Sequence, residues 1–307
     1  MDTLLPILPE ESLYSWLSRL FSYCYTEEVY DKEFVNLINK TTINPIYGKN
    51  LRNLFNYLGN PNFHNCNCEL DLINIMTLVP FYLTFLNNSQ KESIQNMILG
   101  IIPLKGNLSN LLGITNNKSL NGVHEVKFCP LCFEEDKKKY GIAYLHRNHS
   151  VQGNIVCHKH CCWLNVFEKK TNNSSLIQDI NKLDMMKVKK IKRKDECLKN
   201  YYRLSILVND FIEGKYELIN IDNIIDKLNR KLHFYGLNSA SISEIYEVWD
   251  YNFDIFVFEK DRIYNYYRQV ILFILNSHKC VYKKVNPIFL LHLVCLLFKE
   301  NDEFINY

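Results

Sequence analysis

Cys129-Pro130-Leu131-Cys132 and Cys157-His158-Lys159-His160 set soft donors in two pairs, each pair on one tight turn. Thiolate and imidazole at this spacing suit a tetrahedral zinc ion. The segment from Phe133 to Val156 is long enough to fold as a small hairpin and return the second turn to the first. Four protein ligands then fill the shell, which leaves no open position for the water or substrate that a hydrolytic zinc requires. The chemistry expected is therefore structural, with Zn2+ held by Cys129, Cys132, Cys157 and His160. His124, His146, His149, His158, Cys161 and Cys162 lie close enough in sequence to compete for the fourth place. His149 is the best substitute and Cys161 stays in the contest; Cys161 and Cys162 otherwise read as small apolar fillers. His64, Cys66 and Cys68 supply three donors without an obvious fourth, although Cys24 can complete the set in space, and they read as an ordinary turn.

A second kind of chemistry is electrostatic. Lys187, Lys189, Lys190, Lys192, Arg193 and Lys194 form the densest basic run, spaced by Val188 and Ile191, and Lys279, Lys283 and Lys284 form a smaller patch. Such a flexible comb can displace counterions from phosphates, and a solvated strand or helix face is the plainer reading. No glycine-rich phosphate loop, acidic triad for strand transfer or nucleophile–base pair stands out, so no enzymatic activity is expected. A thiol enzyme would need an exposed, acidic Cys162.

These residues must be positioned by the rest of a 307-residue chain that is 47% hydrophobic and 13% aromatic, sufficient for two or three cores. A formal charge of +3 places any nucleic-acid affinity in local patches. Eleven cysteines without a paired framework point to a reducing cytoplasm. The most apolar run, Ile288 to Phe298, is too short to span a bilayer. The pattern predicts a mainly α protein: an N-terminal helical unit over 1–115, a zinc ribbon with a short β-hairpin over 116–167, a basic linker or excursion over 168–200, and a C-terminal helical unit over 201–307.

In the first unit, Pro9, Glu10, Glu11 and Ser12 mark a helix start, with acidic residues at the positive end of the dipole. Leu13, Trp16, Leu17 and Leu20 follow at helical spacing, and further amphipathic segments are read at Phe34–Ile38, Leu51–Leu58 and Leu70–Leu78. These short helices and turns are compatible with helix-turn-helix geometry or a plain bundle. In the last unit Ile221, Ile224, Ile225, Leu228 and Leu232 form one stripe, closed by Gly236; Ser241 and Glu244 then make a capping box. The next helix exposes Ser243, Glu244, Glu247 and Asp250, an acidic face unsuited to reading DNA. Two more helices are expected at Arg262–Leu275 and Pro287–Phe298.

Two stretches carry a family resemblance. Pro9-x-Glu11-Ser12-Leu13-Tyr14-Ser15-Trp16-Leu17-Ser18-Arg19-Leu20 is the first; Cys129-Pro130-x-Cys132, Gly141-x-x-Tyr144, Arg147-x-His149, Cys157-x-x-His160 and Leu164 form the second. Together they resemble the TniQ family, which includes TnsD-type target-site selection proteins of bacterial cut-and-paste transposons. Trp16 and Arg19 alone would be explained by core packing and a surface salt bridge. Leu232-x-x-x-Gly236-Leu237 with Ile245, and Asn286-Pro287-Ile288, are similar to longer TnsD-type members. The family usually carries a small residue where Cys161 stands here, and longer members continue into further DNA-contacting helices beyond the position of Tyr307. The resemblance implies a non-enzymatic adaptor that recognises target DNA and recruits an AAA+ ATPase transposition regulator. In some short relatives it implies a homodimer seated on a CRISPR effector complex. A zinc-ribbon DNA-binding regulator unrelated to transposition is the alternative.

Overall fold

The computed structural model describes residues 5–26, 69–99, 101–102, 112, 126–167, 188–191, 194–216, 221–238, 242–254, 260–276, 285–300 and 304. Phe34–Ile38, Leu51–Leu58, the trio His64, Cys66 and Cys68, His124 and the Ser241 cap lie outside these residues.

The first helix, α1, runs over Leu13–Thr26. It begins later than the acidic pair suggested, because Glu10 turns the chain at φ +58° and Glu11 bridges to His146 before the helix starts. Ser12 supplies the cap: its Oγ accepts the Ser15 N–H at 3.2 Å. Leu13, Trp16, Leu17 and Leu20 are buried as their spacing predicts, and so are Ser15, Ser18 and Arg19 on the opposite side. A helix buried on both sides needs small residues where another backbone approaches closely, and the serines are those residues.

Glu69–Met76 (α2), Val79–Thr84 (α3) and Asn88–Ile98 (α4) follow. Asn87 and Gln90 form a reciprocal capping box that fixes the start of α4. The ribbon then opens with β1, Lys127–Phe128, and passes directly into α5, Pro130–Tyr140. Here the structure differs from the expected hairpin. Pro130 at the first helical position pre-sets a helical backbone, Cys129 caps it, and Gly141 ends it in the left-handed region at φ +75°. A 3-10 turn, Arg147–Ser150, leads to the second knuckle, and β2, Asn165–Phe167, returns antiparallel to β1.

Val188–Lys190 forms β3, which adds to β2 in the order β1-β2-β3. This part of the basic run is therefore an edge strand and not a flexible comb. Its backbone finds hydrogen bonds on β2 while its side chains stay exposed.

A 3-10 turn at Asp195–Cys197 feeds α6, Leu198–Ile212, followed by α7 (Ile221–Phe234), α8 (Ile242–Phe253), α9 (Lys260–Leu275) and α10 (Pro287–Leu297). The isoleucine and leucine stripe of α7 is buried. Gly236, at φ +69°, closes that helix with Leu237 N–H on the Leu232 carbonyl, a Schellman end. Asn286 caps α10, which is buried along nearly its whole length. One hydrophobic cluster runs from Leu13 through the ribbon to Phe304. Among the described residues, no helix is long and apolar enough to cross a membrane.

Candidate metal centre

Local backbone chemistry builds each half of the centre. Cys129 sits at the cap of α5 and Cys132 in its first turn, with the Cys132 N–H directed at the Cys129 sulfur at 3.5 Å. Cys157 N–H bonds the Cys162 carbonyl at 2.9 Å, Cys161 N–H bonds the Cys157 carbonyl at 3.0 Å, and Val156 bridges to Trp163. These contacts hold the second knuckle as a tight loop that turns His160 toward the cysteines. Phe128 stacks on Phe167 at 4.2 Å and on Phe133 at 4.5 Å close by, so the sheet and α5 meet through aromatic rings.

The four donor atoms of Cys129, Cys132, Cys157 and His160 all lie within 4.8 Å of one another. His160 Nδ1 stands 3.4, 3.3 and 3.6 Å from the sulfurs of Cys129, Cys132 and Cys157, and the last two sulfurs are 3.7 Å apart. Donors bound about 2.0–2.3 Å from a single zinc stand about 3.5–3.8 Å from one another at tetrahedral angles. These four edges, 3.3 to 3.7 Å, lie within about 0.2 Å of that range. On the outer side of the ring, His160 Nε2 lies 3.0 Å from a Glu135 carboxylate oxygen. An N–H donated there leaves the Nδ1 lone pair facing the thiols, which is the tautomer a metal requires.

Electrostatics point the same way. Sharing hydrogen bonds with Cys132, Cys157 and Cys162 pulls the Cys129 thiol down, and the resulting thiolate pushes Cys132 up and Cys157 to about 11. Each thiolate formed in this crowded pocket disfavours ionisation of its neighbours. A divalent cation is what lets several thiolates coexist.

The competing donors are placed elsewhere. Cys161 is exposed, at φ +48°; Cys162 is half-buried with its sulfur 3.5 Å from that of Cys129, outside the four-donor group. His146 is taken by Asp136, and His158 Nδ1 accepts from the Asn148 amide at 2.9 Å. His149 is buried beside Cys157 and His158 as part of a second three-donor group, and neither of its ring nitrogens has a hydrogen-bond partner. Burial drives its imidazole well below the usual range, so it is neutral.

A clamp that spacing alone does not reveal joins this centre to α1. Ser12 N–H bonds the Leu145 carbonyl, Arg147 N–H bonds the Glu10 carbonyl, and both lie at 2.9 Å. Leu145 N–H reaches Ser15 Oγ at 3.0 Å and the Tyr144 hydroxyl donates to the Pro9 carbonyl at 2.9 Å. Lys159, within the second knuckle, pairs with Glu10 at 2.7 Å, and His146 lies 2.8 Å from Asp136 and 3.5 Å from Glu10. Arg19 is not at the surface: it is buried, 2.9 Å from Glu11, and donates to the Pro6 carbonyl at 3.0 Å. Buried Lys127 likewise ties β1 to the 151–154 turn through the Val151 and Asn154 carbonyls.

Of the basic residues, Lys189 and Lys190 are exposed on β3, and Lys194 lies 3.5 Å from Asp254. Lys187, Lys192, Arg193, Lys279, Lys283 and Lys284 lie outside the described residues.

No curated protein matches the chain. The TniQ family model matches residues 4–164, which begins in the segment leading to α1 and ends just past the second knuckle. That match spans more than half of the chain and takes in both sides of the clamp; the chain belongs to the TniQ family and is a transposition-associated protein.

Proposed function

We propose that this chain is a non-enzymatic target-site selection adaptor in bacterial DNA transposition. It recognises target DNA or a target-bound complex and recruits an AAA+ ATPase transposition regulator. The observation that supports this reading is the seam between α1 and the ribbon, where both halves of the family signature are buried against each other. In this reading Cys129, Cys132, Cys157 and His160 hold a structural zinc. Bound there, the ion supplies positive charge that neutralises the thiolates and fixes the two knuckles relative to each other. Lys159 and Glu135 lie beside the ligands, so the knuckle that carries His160 also carries a clamp contact to Glu10. The surface offered to partners then depends on the metal without touching it. Exposed Lys189 and Lys190, on opposite faces of the edge strand, put positive charge along its open edge for phosphate contact.

The test is a DNA-recruitment assay with the purified chain and the AAA+ regulator encoded by its own element. The chain is expected to bring the regulator to target DNA, or to a CRISPR effector complex bound to it. C132S is expected to lose both metal and recruitment. Recruitment at full strength by a metal-free C132S protein would sink the assignment. Tight, salt-sensitive DNA binding by the chain alone, with no affinity for the regulator, would favour an independent DNA-binding regulator instead.

A further inference from the structure

A fifth sulfur stands against the proposed shell. Cys162 Sγ is 3.5 Å from Cys129 Sγ, as close as the donors stand to one another, yet it is not one of the four mutually grouped atoms. Cys129 is fully buried, whereas Cys162 is half-buried and follows the exposed Cys161 on the same loop. Solvent therefore reaches Cys162 before it reaches any of the three ligand cysteines. We propose that Cys129 and Cys162 form an oxidative modification site, in which a hydroperoxide converts the pair to a disulfide and releases the metal.

The steps balance without any further reactant. Cys162 attacks one peroxide oxygen as the thiolate, its proton having passed to solvent: an S–O bond forms, the O–O bond breaks, and the departing hydroxide or alkoxide takes up a proton and leaves as water or an alcohol. The Cys129 thiolate then attacks the sulfenic sulfur; an S–S bond forms, the S–O bond breaks, and the departing hydroxide takes up a proton. Two sulfurs lose two electrons in total and one peroxide gains them. The sulfurs need to approach from 3.5 Å to about 2.05 Å. A disulfide sulfur is a poor metal donor, so the shell falls to three ligands.

Metal release rests on the metal reading above, but the crosslink does not. The experiment therefore measures both on the full-length purified chain, after metal content has been determined. Hydrogen peroxide is added, metal release is followed with a chromophoric chelator, and non-reducing peptide mapping locates the crosslink. The expected result is a Cys129–Cys162 disulfide formed in step with metal loss and reversed by a dithiol. C162S, which keeps all four donors, should release metal about tenfold more slowly; C161S should behave as the unaltered chain. A chain that contains no metal yet forms the Cys129–Cys162 crosslink supports the modification site while removing the metal reading. Equal release from C162S, or a map dominated by Cys132–Cys157 or by Cys161, would overturn the proposal.

Discussion

At Cys161 the backbone holds φ at +48°, a region that costs an L-residue with a Cβ about 1–2 kcal/mol. The resemblance placed a glycine or another small residue there, and the geometry gives the reason: the knuckle must turn left-handed to bring the Cys161 N–H onto the Cys157 carbonyl. Cys161→Gly should therefore raise stability by about 0.5–1 kcal/mol after the greater freedom of glycine in the unfolded chain is deducted. Metal stoichiometry should not change, because Cys161 is outside the four-donor group. Denaturant unfolding with metal analysis checks both, and loss of metal in Cys161→Gly would bring Cys161 back as a ligand. The donor grouping itself was legible in the sequence because a knuckle is local: two pairs of residues, each within four positions, set most of the geometry. Glu135 behind His160 was not legible, since a glutamate in the middle of a charged helix carries no mark of the imidazole that packs against it.

The seam between α1 and the ribbon depends on pairs 130 or more residues apart, which is why periodicity placed the helix yet gave the wrong setting for Glu10 and Glu11. Its charges also give it a pH signature. For Glu10, burial raises the carboxyl, but hydrogen bonds from His146 and Lys159 outweigh burial and hold it well below its ordinary value of 4.5. For His146, burial lowers the imidazole, but Asp136 and Glu10 outweigh it and raise it above 6.5; the Tyr144 ring and neutral His149 complete its surroundings. A depressed acid stabilises the fold above its unfolded value and loses that stabilisation as pH falls through the folded one. A raised base stabilises the fold below its unfolded value and loses that as pH rises through the folded one. The Glu10 and His146 contributions should both be at full strength between about pH 4.5 and 6.5, while Glu11, which burial raises to about 7 against the pull of Arg19, works the other way and costs stability as pH rises from 4.5 to 7. His146→Gln should cost about 1–2 kcal/mol in that window and less above it, and Glu10→Gln should remove the acid-side loss. Unfolding at saturating metal across pH reads this directly; a difference between wild type and His146→Gln that stays flat with pH would refute the linkage. A second seam is steric. Gly153, at φ +80°, leaves only 2.8 Å between an added Cβ and Ile288 of α10, beside the Asn286–Gln152 hydrogen bond. Gly153→Ala should destabilise by about 2–4 kcal/mol with metal content intact, and a cost under about 0.5 kcal/mol would mean that the ribbon is not seated on α10.

The two seams make the ribbon a shared wall and not a separate bead on the chain. Leu13 on α1, Val151 and Val156 in the ribbon, and Leu204, Trp249 and Ile288 in the C-terminal helices belong to one hydrophobic cluster. Hydrogen bonds from Asn148 to Asn209 and from Asn286 to Gln152 cross the same boundary, as does the edge contact of Trp163 with Tyr201. Segmentation by composition sees helical and cysteine-rich stretches but not which faces meet, because the meeting residues are ordinary asparagines, glycines and leucines. Chelation offers a test of the whole molecule. A metal held at about 1,000 times its dissociation constant stabilises the folded form by about 4 kcal/mol, and a continuous core passes that loss on to every part. The three tryptophans report on each part: Trp16 lies in α1, Trp163 beside the second knuckle and Trp249 in α8. In single-tryptophan variants, adding a chelator should lower the melting temperature by the same amount at all three positions. If Trp163 alone shifts while Trp16 and Trp249 melt unchanged, the metal stabilises only the ribbon and the seams do not couple it to the helices.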